Sequence, residues 1–148
     1  MKRLLLALGC AFAIGAACAN DGAGTFKTVK GAVTIERGTQ RLPAAVGGSV
    51  MARDRVITGA DSAVGITLRD NTVLSAGPNS TLSLDKFAFN PTTHAGEIDA
   101  TLKRGTLAVI SGKVAKSSAD TVVFRTPTVS LGVRGTEFVI EAVEREER

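Results

Sequence analysis

The sequence predicts an all-β protein, a single compact domain of about ten short strands arranged as a β-solenoid or a β-sandwich. Three observations predict it. Apolar and polar residues alternate with a period of two over short stretches, the pattern of half-buried strands whose successive side chains point to opposite faces. Gly, Asn, Asp or Pro interrupts these stretches about every eight to twelve residues, where turns are needed. Beyond the amino-terminal leader, no segment carries the helical periodicity of a full-length helix.

The chain opens with Lys2-Arg3 and then runs almost without polarity from Leu4 to Ala17. That run is too short for the roughly 20 residues of a permanent membrane span, and it has the form of a secretory signal. Ala17-Cys18-Ala19 places small residues where a signal peptidase cuts, so residues 1–19 are expected to be removed. The mature protein is then exported and periplasmic. Cys18, preceded by Gly15-Ala16-Ala17, also matches part of the site at which bacterial lipoproteins are cut and acylated, without the usual branched residue three positions before it. Membrane attachment is expected only if Cys18 is lipidated.

In the β domain, residues 25–142, Val33 and Ile35 alternate with Thr34 and Glu36. Val64, Ile66 and Leu68 alternate with Gly65 and Thr67 before an Asp70-Asn71 turn. Leu82 and Leu84 follow Pro78-Asn79-Ser80. Ile98, Ala100 and Leu102 alternate up to a break at Arg104-Gly105, after which come Leu107 and Val109. Val129, Leu131 and Val133 form a further strand, and Phe138 and Ile140 the last. Phe87 to Gly96, with Asn90-Pro91, reads as a long surface loop, and Lys113 to Asp120 as a polar connection. Residues 143–148 form a charged tail that frays or makes a short helix in solvent.

Composition excludes several classes of chemistry. Both cysteines, Cys10 and Cys18, lie in the leader, so the domain has no disulfide and no thiol. His94 is the single histidine, which rules out His/Cys ligation of zinc, and no nucleophile-elbow motif accompanies it. The turn acids Asp54, Asp61, Asp70 and Asp85 are isolated and fit no calcium-loop spacing. Loss of Lys2 and Arg3 lowers the formal net charge of +4 by two, and the remaining Lys and Arg are thinly spread. No footprint for nucleic acid is present. We expect no catalytic residues, no cofactor and no metal. With no Trp and no Tyr, the aromatic residues open to a sugar are Phe, and Phe87 and Phe89, two apart, are the candidate ligand contacts. The same pair serves equally to plug a gap in the core.

Several segments together resemble the FecR domain. They are Val29-Lys30-Gly31-Ala32-Val33-Thr34-Ile35, the stretch Val50 to Ala63, Gly65 to Thr72, Gly77-Pro78-Asn79-Ser80, and the closing Thr126-Pro127 with Val133-Arg134-Gly135-Thr136-Glu137-Phe138. Ala52-Arg53-Asp54-Arg55 stands where that family has a Gly-Asp turn, and Asp70-Asn71-Thr72 where Asp-Gly-Ser is commoner. In the closing signature, strand geometry puts Arg134, Thr136 and Phe138 on one face, Gly135 at a bulge or turn, and Arg134 within reach of Glu137. These four residues, Arg134, Gly135, Thr136 and Phe138, are expected to be structural. The family's membrane-spanning regulators carry a cytoplasmic sigma-factor-binding segment and a transmembrane helix, and these 148 residues show neither. The resemblance therefore implies the envelope-side β domain, a non-enzymatic interaction or sensing module with an unidentified envelope protein as partner. Envelope-glycan or small-ligand binding is the alternative, and the oligomeric state is open.

Overall fold

The computed structural model describes residues 22–133 and 137–143. Twelve strands follow one another: β1 (Gly24–Lys30), β2 (Val33–Arg37), β3 (Gln40–Pro43), β4 (Ser49–Val50), β5 (Arg55–Thr58), β6 (Ala63–Leu68), β7 (Val73–Ala76), β8 (Thr81–Phe89), β9 (Gly96–Ile110), β10 (Val122–Arg125), β11 (Ser130–Gly132) and β12 (Glu137–Ala142). Between β9 and β10 lie a one-turn helix, α1 (Lys113–Ser117), and a 3-10 turn, Ala119–Thr121. The protein is all-β and single-domain. Neighbouring strands run antiparallel except β9 and β10, so the arrangement is one curled sheet rather than the parallel rungs of a solenoid.

The spine of the sheet is β9. Along one flank it pairs with β7 (Val73↔Ile110 to Ala76↔Leu107) and then with β8 (Thr81↔Arg104 to Phe89↔Gly96). Along the other it pairs with β12 and β10. Beyond β7 the sheet continues through β6, β1 and β4, and beyond β8 through β5, β2 and β3. The two wings thus diverge where β7 hands over to β8, and their inward residues share one core. Phe26, Ile66, Leu68 and Leu74 come from one wing, Ile35, Val56, Leu82 and Leu84 from the other, and Ile98, Leu102, Leu107 and Val109 from the spine.

Arg104-Gly105, read from sequence as a break between two strands, lies inside β9. Strand residues Ile98, Ala100 and Leu102 are buried, and so are Leu107 and Val109, an odd-numbered jump in phase. The pairing register shifts at the same place, between Thr81 and Leu82 opposite, and Gly105 takes φ +93°. A bulge and a glycine therefore bend one strand from wing to wing, as strands that change sheets do.

The segment Phe87 to Gly96 is likewise shorter as a loop than its sequence suggests. Its first residues, Phe87 to Phe89, belong to β8, and Gly96 opens β9, which leaves residues 90–95 as the hairpin tip. A second register shift, between Leu84 and Lys86, leaves Asp85 outside the ladder and moves the inward face from even to odd positions. Alternation is broken there, so a period-two reading misses the strand. The polar connection from Lys113 holds α1 and the 3-10 turn. Strand β10, with buried Val122 and Phe124, was not foreseen. Of the expected strand Val129 to Val133, only Val133 is buried, and Val129 and Leu131 are exposed at the sheet margin.

Two acidic turn residues prove to be buried joints. Asp70 is fully buried between β6 and β7. Its carboxylate accepts the Thr72 amide (3.1 Å), the Thr72 hydroxyl (2.7 Å) and the Val114 amide (3.2 Å), while the Gly112 amide donates to Thr72 Oγ1 (3.1 Å). The hairpin tip is thereby fused to the start of α1. Asn71, at φ 69°, takes the left-handed turn position that Asn tolerates well.

Candidate functional site

The outer face of the β3-β2-β5-β8-β9 wing carries a polar row set by register. Arg41 pairs with Glu36, Glu36 with Arg55, Arg55 with Ser83 and Ser83 with Thr101 on successive strands. Directly opposite residues share a face, so strand pairing alone brings these side chains together. Glu36 accepts from Arg41 (2.8 Å) and from Arg55 (3.3 Å). The hydrogen bond from Arg41, reinforced by the charges of Arg41 and Arg55, holds the Glu36 carboxyl below its ordinary value.

At one end this row borders an open cleft of about 540 Å³, between the β2–β3 turn, the loop before β5, and β8. The cleft is built around Asp54, which is 1% exposed. Arg37 Nε and Nη2 donate to its two oxygens (2.9 and 2.7 Å), and the Met51 amide donates to Oδ2 (2.8 Å). The hydrogen bonding of Arg37 to the Asp54 carboxylate holds the guanidinium above its ordinary value. The loop is closed by Asp54 N–H to Met51 O (3.1 Å), and the ladder resumes with Arg53 N–H to Leu84 O (2.5 Å) and Leu84 N–H to Asp54 O (3.0 Å). This turn needs a left-handed residue, and Arg53 occupies that position at φ 72°. A side chain there costs about 1–2 kcal/mol relative to glycine. Arg53 is exposed on the cleft wall, and its guanidinium has no partner among the described residues.

Arg55 Nε is buried with no hydrogen-bond acceptor. Asp85, the residue extruded by the β8 bulge, lines the same cleft and accepts from the Thr101 hydroxyl (2.6 Å). The cleft was not legible as a site in the sequence. Its one signal was the alternation of opposite charges in Glu36-Arg37 and in Arg53-Asp54-Arg55.

Phe87 and Phe89 do lie on one face, but it is the inward one. They stand opposite Ile98 and Gly96 and pack against the core, half-buried. Arg69 covers the Phe87 ring (5.5 Å to its centroid), and His94 stacks on Phe89 (6.2 Å between centroids). His94 itself is exposed in the hairpin tip. Of the closing signature, Arg134, Gly135 and Thr136 lie outside the described residues, and with them the expected bulge and the Arg134–Glu137 pair. Phe138 is described. It is half-buried, edge-on to Phe124 (5.5 Å between centroids), and joins β12 to β10 through the core.

Beyond the cleft, the sheet has one long margin that no described residue covers. Strand β12 pairs with β9 alone among the described residues, with Phe138, Ile140 and Ala142 turned toward Val109, Leu107 and Gly105. Outward stand Glu137, Val139 and Glu141, beside Ile110, Ala108 and Thr106. Val139 is 71% exposed, Val143 72% and Ile110 48%. No helix among the described residues is long and apolar enough to cross a membrane.

A curled antiparallel sheet, with a polar cleft on one wing and a long margin left uncovered by the described residues, defines a small all-β domain. The sequence profile of the family described as FecR protein matches residues 54–148, from the cleft aspartate onward, and the chain belongs to that family. Comparison with curated proteins and with solved structures finds no match. Family membership associates the domain with signalling or sensing.

Proposed function

We propose that this FecR-family domain is a non-enzymatic module, exported to the cell envelope, which recognises a protein partner by accepting a strand along β12. The supporting observation is the contrast among the sheet's margins. Strand β3 is four residues long and ends in Pro43, and β4 is two residues long, both of which block edge pairing. Strand β12 offers six residues with no proline, and between its outward Glu137 and Glu141 stands the exposed Val139. A partner strand laid there gains main-chain hydrogen bonds, and an apolar residue flanked by basic ones suits the side chains it meets.

Export rests on the leader's charged start, apolar run and small-residue cleavage site. An intact mass of the protein recovered from the envelope is expected to begin near Asn20, or to carry lipid on Cys18; an uncleaved leader argues against export. Protein captured from envelope extract is expected to protect the amides of residues 137–142 from hydrogen exchange, and Val139→Lys is expected to abolish capture without lowering stability. Capture that survives Val139→Lys, or retention of glycan with no protein, overturns the strand-addition reading.

A further inference from the structure

We propose that the cleft beside Asp54 binds a carboxylated sugar, with the acid group held between Arg53 and Arg55 and neighbouring hydroxyls held by Ser83 and Asp85. The assignment follows from which groups in the cleft are already satisfied. Asp54 is saturated by Arg37 and the Met51 amide, and Glu36 is shared by Arg41 and Arg55. What remains is mostly donor capacity: the unpartnered guanidinium of Arg53, the part of the Arg55 guanidinium that stays exposed beside its bond to Glu36, and the hydroxyl of Ser83. Arginine forks match the two oxygens of a carboxylate. One acceptor is also left, since Asp85 Oδ2 takes the Thr101 hydroxyl and Oδ1 is available to a ligand hydroxyl.

The lining narrows the class further. Ala52 is the one apolar side chain on it, so neither a lipid tail nor the apolar residues of a peptide find a complement. Three arginines face three carboxylates, which balances the local charge and disfavours a polyanion. A volume of about 540 Å³ lies within the usual range for small-ligand sites. A single acid group on a polyhydroxyl frame suits the free donors of Arg53, Arg55 and Ser83 and the free acceptor of Asp85. The left-handed backbone of Arg53 adds that a guanidinium stands where glycine is the unstrained residue.

The experiment is a calorimetric titration of the full chain, in the form recovered from the producing cell, with galacturonate, with its neutral counterpart galactose, and with an acidic Asp/Glu peptide. Galacturonate is expected to bind at least tenfold more tightly than galactose, and more weakly as salt is raised. Arg53→Gly is the decisive variant, because it removes the guanidinium while relaxing the backbone, so folding is not at risk. Its thermal midpoint is expected to rise while galacturonate binding falls about tenfold, the loss of one charge-assisted hydrogen-bonding group. Equal binding of the two sugars, unchanged binding by Arg53→Gly, no binding of galacturonate at millimolar concentration, or tighter binding of the acidic peptide each overturns the proposal. The β12 reading is untouched by any of these, since Val139→Lys leaves the cleft intact.

Discussion

Gly105→Ala tests whether the bend in β9 is what holds the two wings together. Two costs are worked from the structure. The backbone at φ +93° disfavours any L side chain by about 1–2 kcal/mol. The added methyl would also lie 2.5 Å from Ser80 Cα and 2.6 Å from Ser80 Cβ, and nearer still to Ser80 Oγ. Ser80 has little freedom to retreat. It is 1% exposed, its amide donates to Thr58 Oγ1 (2.9 Å), and its hydroxyl accepts the Thr106 amide (3.1 Å). Forcing packed backbone aside adds about 1–3 kcal/mol, so the total is roughly 2–5 kcal/mol. The molecule supplies its own control. Gly38, at φ +61° in the β2–β3 turn, has nothing within 4 Å of an added Cβ, so Gly38→Ala should cost only the backbone share, about 1–2 kcal/mol. Urea unfolding of both variants, read at the midpoint with the slope unchanged, separates the terms. If the two variants lose equal stability, the close approach of β9 to Ser80 is not rigid and the argument for a pinned bend fails.

Two further predictions concern the charged groups of the cleft. Arg37→Ala leaves the buried Asp54 carboxylate without its guanidinium and is expected to cost about 3–5 kcal/mol in urea unfolding. Asp54→Ala is expected to cost less, because Arg37 is 33% exposed and its charge can turn to water; the opposite ranking would show that Asp54 is not the buried member that matters. Glu36, whose carboxyl is held below its ordinary value by Arg41 and Arg55, contributes stability that is present above about pH 4.3 and is lost as pH falls through its lowered folded-state value. A carbon-13 NMR titration of its side-chain carboxyl should show a midpoint below that of a free glutamate, moving upward in Arg41→Ala; no movement would mean the pair does not persist in solution.

The alternation of Val64, Ile66 and Leu68, or of Ile98, Ala100 and Leu102, determined by itself that the protein is built from half-buried strands, and these residues are buried as their spacing requires. The family was legible for a related reason, since turn residues and strand patterns are local and recur in order. What the sequence could not carry is pairing. Nothing local says that Glu36 stands opposite Arg55 and Arg55 opposite Ser83, because register is a relation between segments far apart in the chain. The cleft depends wholly on that relation and was therefore invisible, as was the burial of Asp54 and Asp70, which a turn-residue reading places in solvent. The two bulges mark the boundary between the two kinds of information. Their phase jumps, from Leu84 to Phe87 and from Leu102 to Leu107, are written in the sequence. Tertiary structure alone decided that each jump is a bend within one continuous strand: β9 runs past both halves of the jump in β8, and the jump in β9 falls where its partner changes from β8 to β7.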